Sequence, residues 1–140
     1  MDCPALEFDK ILIVDDDVQM LRSVKRMLVR QGYVVATHDG GPGCSQELLR
    51  FNPDLVLLDV RMPFLSGETY VSLFDKQAVE LRPLLVLYSG IDDVTLERTA
   101  KSCGADGYIS KSESGLEFAR KVAGFLRARR TARQQLETKS

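Results

Sequence analysis

The chain has 140 residues, enough for one domain with a sizeable core and too few for two. Its 19 basic and 20 acidic side chains leave a formal net charge of -1, so no overall field draws it to a polyanion or a membrane surface. Met1 to Lys10 lacks a basic segment followed by an apolar one, and no apolar run approaches membrane-spanning length. A soluble cytoplasmic protein is expected. Cys3, Cys44 and Cys103 have no paired spacing, which argues against a disulfide frame or zinc knuckle and for reduced thiols, Cys103 packed and the others near the surface.

Ile11 to Val14 is a short apolar run that ends abruptly in Asp15, Asp16 and Asp17, the pattern of a buried strand delivering acids to one edge. Asp17 can cap a following helix with Val18, Leu21, Val24 and Leu28 inward and Gln19, Arg22, Lys25 and Arg26 outward. Gly32 stops it. Tyr33 to Thr37 predicts a second strand, and His38-Asp39-Gly40-Gly41-Pro42-Gly43 a turn-rich loop holding a solvated histidine. A weaker helix through Leu48 and Leu49 follows.

Pro53 to Pro63 reads Pro-Asp-Leu-Val-Leu-Leu-Asp-Val-Arg-Met-Pro. Its apolar centre, Leu55 to Leu58, is too short for a free-standing helix and suits a strand buried on both faces. Asp59 ends that strand, at the carboxyl edge where open α/β sheets keep their sites. Asp54 reads as an ordinary loop acid. After Ser66-Gly67, Tyr70, Val71, Phe74 and Ala78 predict a helix.

Leu84 to Tyr88 predicts a fourth buried strand, stopped by Ser89-Gly90, with Asp92 or Asp93 capping a helix that carries Leu96, Ala100 and Cys103. Tyr108 to Ser110 is a short fifth strand running into Lys111. Ser114 and Glu117 match a capping box for a last helix, Leu116 to about Arg130, with Leu116, Ala119, Val122, Ala123 and Leu126 inward. From Arg127 on, five basic residues face one acid, Glu137, and a fraying helix end plus a basic tail is expected. The alternation predicts a doubly wound, five-stranded parallel sheet with five helices, in a single domain.

Four strand ends carry polar groups: Asp15 and Asp16, Asp59, Ser89 and Lys111. Close carboxylates repel by about 4 kcal/mol per pair at 4 Å and an effective dielectric of 20, so a cluster of three needs a cation. Hard oxygens without thiol or imidazole select magnesium or a similar ion. Lys111 adds a mobile charge and Ser89 a hydroxyl donor, which together suit a phosphoryl group carried on a carboxylate.

Ile-Leu-Ile-Val-Asp-Asp-Asp at 11 to 17, Leu-Leu-Asp-Val-Arg-Met-Pro at 57 to 63, Tyr-Ser-Gly at 88 to 90 and Gly-Ala-Asp-Gly-Tyr-Ile-Ser-Lys at 104 to 111 appear in this order. In that spacing the chain resembles a response-regulator receiver domain of two-component signalling, a chemotaxis-regulator-like module of flavodoxin-like fold. The likeness runs over residues 10 to 130, leaving 1 to 9 as an N-terminal extension and 131 to 140 as a basic C-terminal tail. It implies that Asp59 is the phosphoacceptor for a sensor histidine kinase or a histidine phosphotransfer protein. Asp15 and Asp16, with Asp59 and the main-chain carbonyl of Arg61, would hold magnesium. Ser89 and Lys111 would bind the phosphoryl group, and Tyr108 would act as the aromatic switch. The readout face, the last two helices and last strand, would meet an unknown downstream protein. The implied protein is no enzyme beyond self-catalysed transfer and slow autodephosphorylation, binds no nucleic acid or membrane directly, and is a monomer or a weak phosphorylation-linked dimer.

The family follows its lysine with proline, whereas Lys111 here precedes Ser112. A cis bond without proline costs about 3 kcal/mol, so the loop keeps that bond or turns differently in trans. Two other readings use the same acids. In a magnesium-dependent phosphohydrolase Asp15 would be the nucleophile and Asp17 the acid; in a degenerate receiver the altered loop would leave a constitutive protein-binding module.

Overall fold

A computed structural model of the chain describes residues 9–60 and 83–138. Five parallel strands lie in the order β2-β1-β3-β4-β5: β1 Lys10–Val14, β2 Val34–His38, β3 Leu55–Leu58, β4 Leu84–Ser89 and β5 Gly107–Ser110. The described helices are α1 Val18–Arg30, α2 Cys44–Phe51, α3 Asp93–Cys103 and α4 Gly115–Thr138. The helix expected around Tyr70, Val71, Phe74 and Ala78 lies outside the described residues.

Each strand sends alternate side chains to opposite faces, and both faces are covered. Ile11, Ile13, Leu55, Leu57, Val86 and Tyr88 pack with Leu21, Val24 and Leu28 of α1 and Phe118, Val122 and Leu126 of α4. On the other face Leu12, Val14, Val56, Leu58, Leu85 and Leu87 meet Cys44 and Leu48 of α2 and Leu96, Ala100 and Cys103 of α3. Burial on both sides explains why these strands read as unbroken apolar runs.

The caps follow the sequence. Asp17 accepts the N–H groups of Gln19 and Met20 at 3.0 and 3.2 Å. Asp92, rather than Asp93, accepts the Thr95 N–H at 2.9 Å. Ser114 accepts the Glu117 N–H at 3.2 Å and so starts α4.

Several expectations are corrected. Val18 and Leu116 are 54% and 63% exposed, because each lies in the first turn of its helix; the inward stripe begins at Leu21 in α1 and at Phe118 in α4. Cys44 is buried with Cys103, since the first turn of α2 packs on Val14 and Leu58. His38 is the last residue of β2 and half-buried, and its Nδ1 accepts the Gly40 N–H at 3.0 Å, so it is not a solvated loop side chain.

The carboxyl-terminal arginines fold back. Helix α4 continues to Thr138, well past the expected end near Arg130. Arg129 is buried and donates to Asp54 Oδ1 at 2.9 Å, Arg130 donates to Asp9 at 2.6 Å, and Arg133 comes within 3.9 Å of Asp54. Asp54 is therefore no free loop acid. Its other oxygen accepts the Lys10 N–H at 2.8 Å, and its main chain links β1 to β4 through Lys10 and Leu84. These contacts tie the end of α4 to the amino edge of the sheet, opposite the strand ends that carry Asp15 and Asp59.

Candidate functional site

The sheet order places the site. β1 and β3 are neighbours, but the chain leaves β1 toward β2 on one side and continues through β3 on the other, which opens a crevice at their carboxyl ends. Val14 and Leu58 are paired in register, so the next residues, Asp15 and Asp59, stand side by side. Backbone bonds hold both: Asp15 N–H donates to His38 O and Asp59 N–H to Val14 O, each at 3.1 Å.

Both acids are buried, whereas Asp16 is exposed beside them. One carboxylate oxygen from each of Asp15, Asp16 and Asp59 can lie within 4.8 Å of the others. Lys111 reaches into this group and donates to Asp15 Oδ2 at 2.7 Å and to Asp59 Oδ2 at 3.1 Å. The lysine arrives there because β5 pairs with β4 through Ser89 and Ser110, and the Lys111 N–H donates to Ser89 O at 2.8 Å.

Burial pushes the Asp15 carboxyl up, and the charge of Asp59 adds to the rise; the Lys111 ammonium and the Asp17 N–H oppose it without cancelling it. For Lys111 burial is the largest single influence and acts downward, but its hydrogen bonds to Asp15 and Asp59 outweigh it and raise the ammonium above its ordinary value. Among the described residues the group is thus a compact anionic centre bridged by the Lys111 ammonium. An oxygen-only donor set of this kind, free of sulfur and imidazole, fits a hard divalent ion.

Of the remaining sequence candidates, Ser89 is fully buried at the end of β4, and its Oγ accepts the Ile91 N–H over a long 3.4 Å. Tyr108 stands apart from the acids. It is half-buried in β5, packs toward Leu87 and α3, and lines a groove with Lys121, Gly124, Phe125 and Ala128. Arg61 lies outside the described residues. Asp17 uses its carboxylate to cap α1. The Lys111–Ser112 peptide is trans, and Lys111 nevertheless reaches both acids.

Tyr88 is a member of the site that residue types alone did not single out. Its ring lies 5.7 Å from Lys111 Nζ and packs on Phe118 with 4.8 Å between centroids. Strand alternation was the available signal: Val86 and Tyr88 share the α1/α4 face of the sheet, to which Asp15 and Asp59 also belong by alternation from Ile13 and Leu57.

Comparison with known proteins shows the family and the fold. The family model for the response regulator receiver domain matches residues 11–123. The transcriptional regulatory protein KdpE of Mycobacterium tuberculosis is 30% identical over 127 residues, covering 91% of this chain and 54% of that protein. PrrA, another transcriptional regulatory protein of Mycobacterium tuberculosis, is 33% identical over 132 residues, covering 92% and 55%. The chain therefore spans about half the length of these relatives. A response regulator signal receiver domain from Bermanella marisrubri superposes with a TM-score of 0.72 at 28% identity, covering 84% of this chain and 98% of that one.

Proposed function

Because this chain belongs to the response regulator receiver domain family of two-component systems, we propose that Asp59 accepts a phosphoryl group from a histidine kinase or a histidine phosphotransfer protein. The observation that carries the reading is the Lys111 ammonium bridging Asp15 and Asp59, 2.7 and 3.1 Å away, at the crevice between β1 and β3. That geometry supplies a nucleophile, acids for a divalent ion and a cation able to follow charge from the carboxylates to a phosphoryl oxygen.

In the proposed reaction an Asp59 carboxylate oxygen attacks phosphorus, the phosphorus–nitrogen bond of the phosphohistidine breaks, and its electron pair returns to the imidazole, which takes up a proton. The product is an aspartyl phosphate. Magnesium bound through Asp15, Asp16 and Asp59 would supply positive charge to the phosphoryl oxygens. Lys111 trades part of its contact with the acids for a phosphoryl oxygen. Ser89 Oγ, which among the described residues accepts a long 3.4 Å bond from the Ile91 N–H, turns to donate to another. Tyr108 then moves inward beside Leu87, altering the face formed by α3, β5 and α4, which a downstream protein reads.

Neither alternative draws equal support. A phosphohydrolase centred on Asp15 needs Asp17 as its acid, yet that carboxylate is engaged with the Gln19 and Met20 N–H groups. The degenerate reading needs a displaced lysine, and Lys111 contacts Asp59 across a trans turn.

The test is incubation with magnesium and acetyl phosphate, or with a phosphorylated kinase, followed by measurement of hydroxylamine-labile label. Wild type should be labelled and Asp59→Asn should not. Label that persists in Asp59→Asn and vanishes in Asp15→Asn would overturn the receiver reading; no label and no magnesium affinity would favour the degenerate one.

A further inference from the structure

The turn carrying Lys111 lacks the ring that a proline at the next position would contribute, and two hydroxyls occupy its place. Ser110, the last residue of β5, is buried, and its Oγ accepts the Ser112 N–H at 3.1 Å. The same Oγ lies 2.7 Å from Ser112 Oγ. The Ser110 carbonyl accepts the Glu113 N–H at 3.1 Å, and Glu113 pairs with Lys121 of α4. Lys111 therefore sits at the crest of a short turn closed beneath it by Ser110. A proline at 112 has neither the N–H nor the hydroxyl: the N–H bond to Ser110 needs a residue other than proline there, and the hydroxyl contact needs serine or threonine.

We propose that Ser110 and Ser112 are positioning residues for Lys111: their hydroxyl clasp sets where the ammonium meets Asp59 and thereby the rate of phosphoryl transfer. The inference rests on the reading of Asp59 as phosphoacceptor. A lysine stem is long and rotamer-rich, and nothing in the side chain itself selects one acid over the other. The choice depends on where the backbone starts it. Lys111 divides its donors between two carboxylates at 2.7 and 3.1 Å, so a small backbone shift at the crest redistributes them. Misplacement of a charged group by about 1 Å can cost on the order of a hundredfold in rate, and a loosened turn should cost less than that.

The clasp is also separable from folding. Ser112 is exposed, so its N–H finds water when Ser110 loses its hydroxyl, and no donor is stranded in the core. Ser110→Ala removes the oxygen shared by both bonds, Ser112→Ala removes only the outer hydroxyl, and Ser110→Thr keeps the buried one.

The experiment follows hydroxylamine-labile label from acetyl phosphate with magnesium in the 140-residue chain, together with the 15N resonance of the Lys111 ammonium. Ser110→Ala should lower the limiting rate about three- to tenfold, the size of one net hydrogen bond, and shift the Lys111 resonance. Ser110→Thr should restore both, and Ser112→Ala should move both in the same direction by less. A Ser110→Ala protein that transfers at the wild-type rate, or more slowly with an unmoved Lys111 resonance, would overturn the clasp. If Ser110→Ala does not fold, the same two readouts in Ser112→Ala decide. An unlabelled wild type would instead sink the phosphoacceptor reading, so the two failures are distinct.

Discussion

Lys111 Nζ lies 2.7 Å from Asp15 Oδ2, closer than its 3.1 Å approach to Asp59. The lysine thus holds positive charge against one oxygen of an acid proposed to help bind a divalent ion. Removing the ammonium should free that oxygen and leave the site one charge more negative. Lys111→Ala is expected to bind magnesium more tightly, on the order of tenfold, well below the full Coulomb energy because water enters the vacated space. The same variant should transfer phosphoryl groups more slowly, about tenfold to a hundredfold, for want of a charge on the phosphoryl oxygen. Calorimetric titration with magnesium checks the first half; unchanged or weaker binding would contradict it.

Asp15 and Lys111 also predict how stability responds to pH in the absence of metal. Burial raises the folded-state pKa of Asp15 above 3.8, so the folded chain holds that proton more tightly than the unfolded one. Stability contributed at this residue therefore falls as pH rises through that window, and stays lower at neutrality. Lys111 is also raised, above 10.5, in spite of burial and because of its bonds to the two acids. Its contribution is complete below 10.5 and is lost as pH climbs through the raised value. Melts in a chelating buffer should show wild type losing stability relative to Asp15→Asn as pH climbs above 3.8. A difference curve that is flat or rises there would refute the assignment. The comparison is needed because Asp92, lowered by its bonds from Thr95, acts with the opposite sign in both proteins.

Much of this was legible in the chain, for physical reasons that also mark the limits. Strands buried on both faces must be apolar throughout, so Ile11 to Val14 and Leu55 to Leu58 stand out, and the acids that end them point to the site. The caps at Asp17 and Asp92 are local chemistry and equally readable. Val18 and Leu116 misled because periodicity records which side of a helix a residue occupies, not whether that turn overlies the sheet. Arg129 looked solvated because its partner, Asp54, lies 75 positions away, and no local pattern announces that pairing. The trans Lys111–Ser112 peptide is the ordinary state of a bond without proline, but the closure of that turn by the Ser110 side chain has no signature in residue types.

The Arg129–Asp54 contact leads to a stability prediction. Arg129 is 8% exposed, and Asp54 also accepts from the Lys10 N–H, so cutting the pair takes the near countercharge from a half-buried carboxylate and leaves it Arg133, 3.9 Å away. Arg129→Ala should destabilise by about 2–3 kcal/mol, toward the lower end for breaking a buried pair because Asp54 keeps some solvent. Arg130→Ala, which removes an exposed contact to Asp9, should cost about 0.5 kcal/mol or less. Urea unfolding of the two variants checks the contrast; equal effects would mean that α4 is not fastened through the buried guanidinium.

Gly107 and Phe125 make the last prediction, next to Tyr108. A Cβ at Gly107 would come within 2.4 Å of Cε1 and Cζ of the Phe125 ring, which lies directly against the β5 backbone. Alanine there must push the ring away from the strand, toward the groove that Tyr108, Lys121, Gly124 and Ala128 line. The ring can pivot, so the expected cost is about 1–2 kcal/mol rather than loss of the fold. Phe125→Ala should remove the clash, making the double variant less destabilised than the two single effects summed. Thermal melts of the two single variants and the double variant measure this coupling. Strict additivity would show that the ring does not press on Gly107 and that the groove beside Tyr108 is not set by that contact.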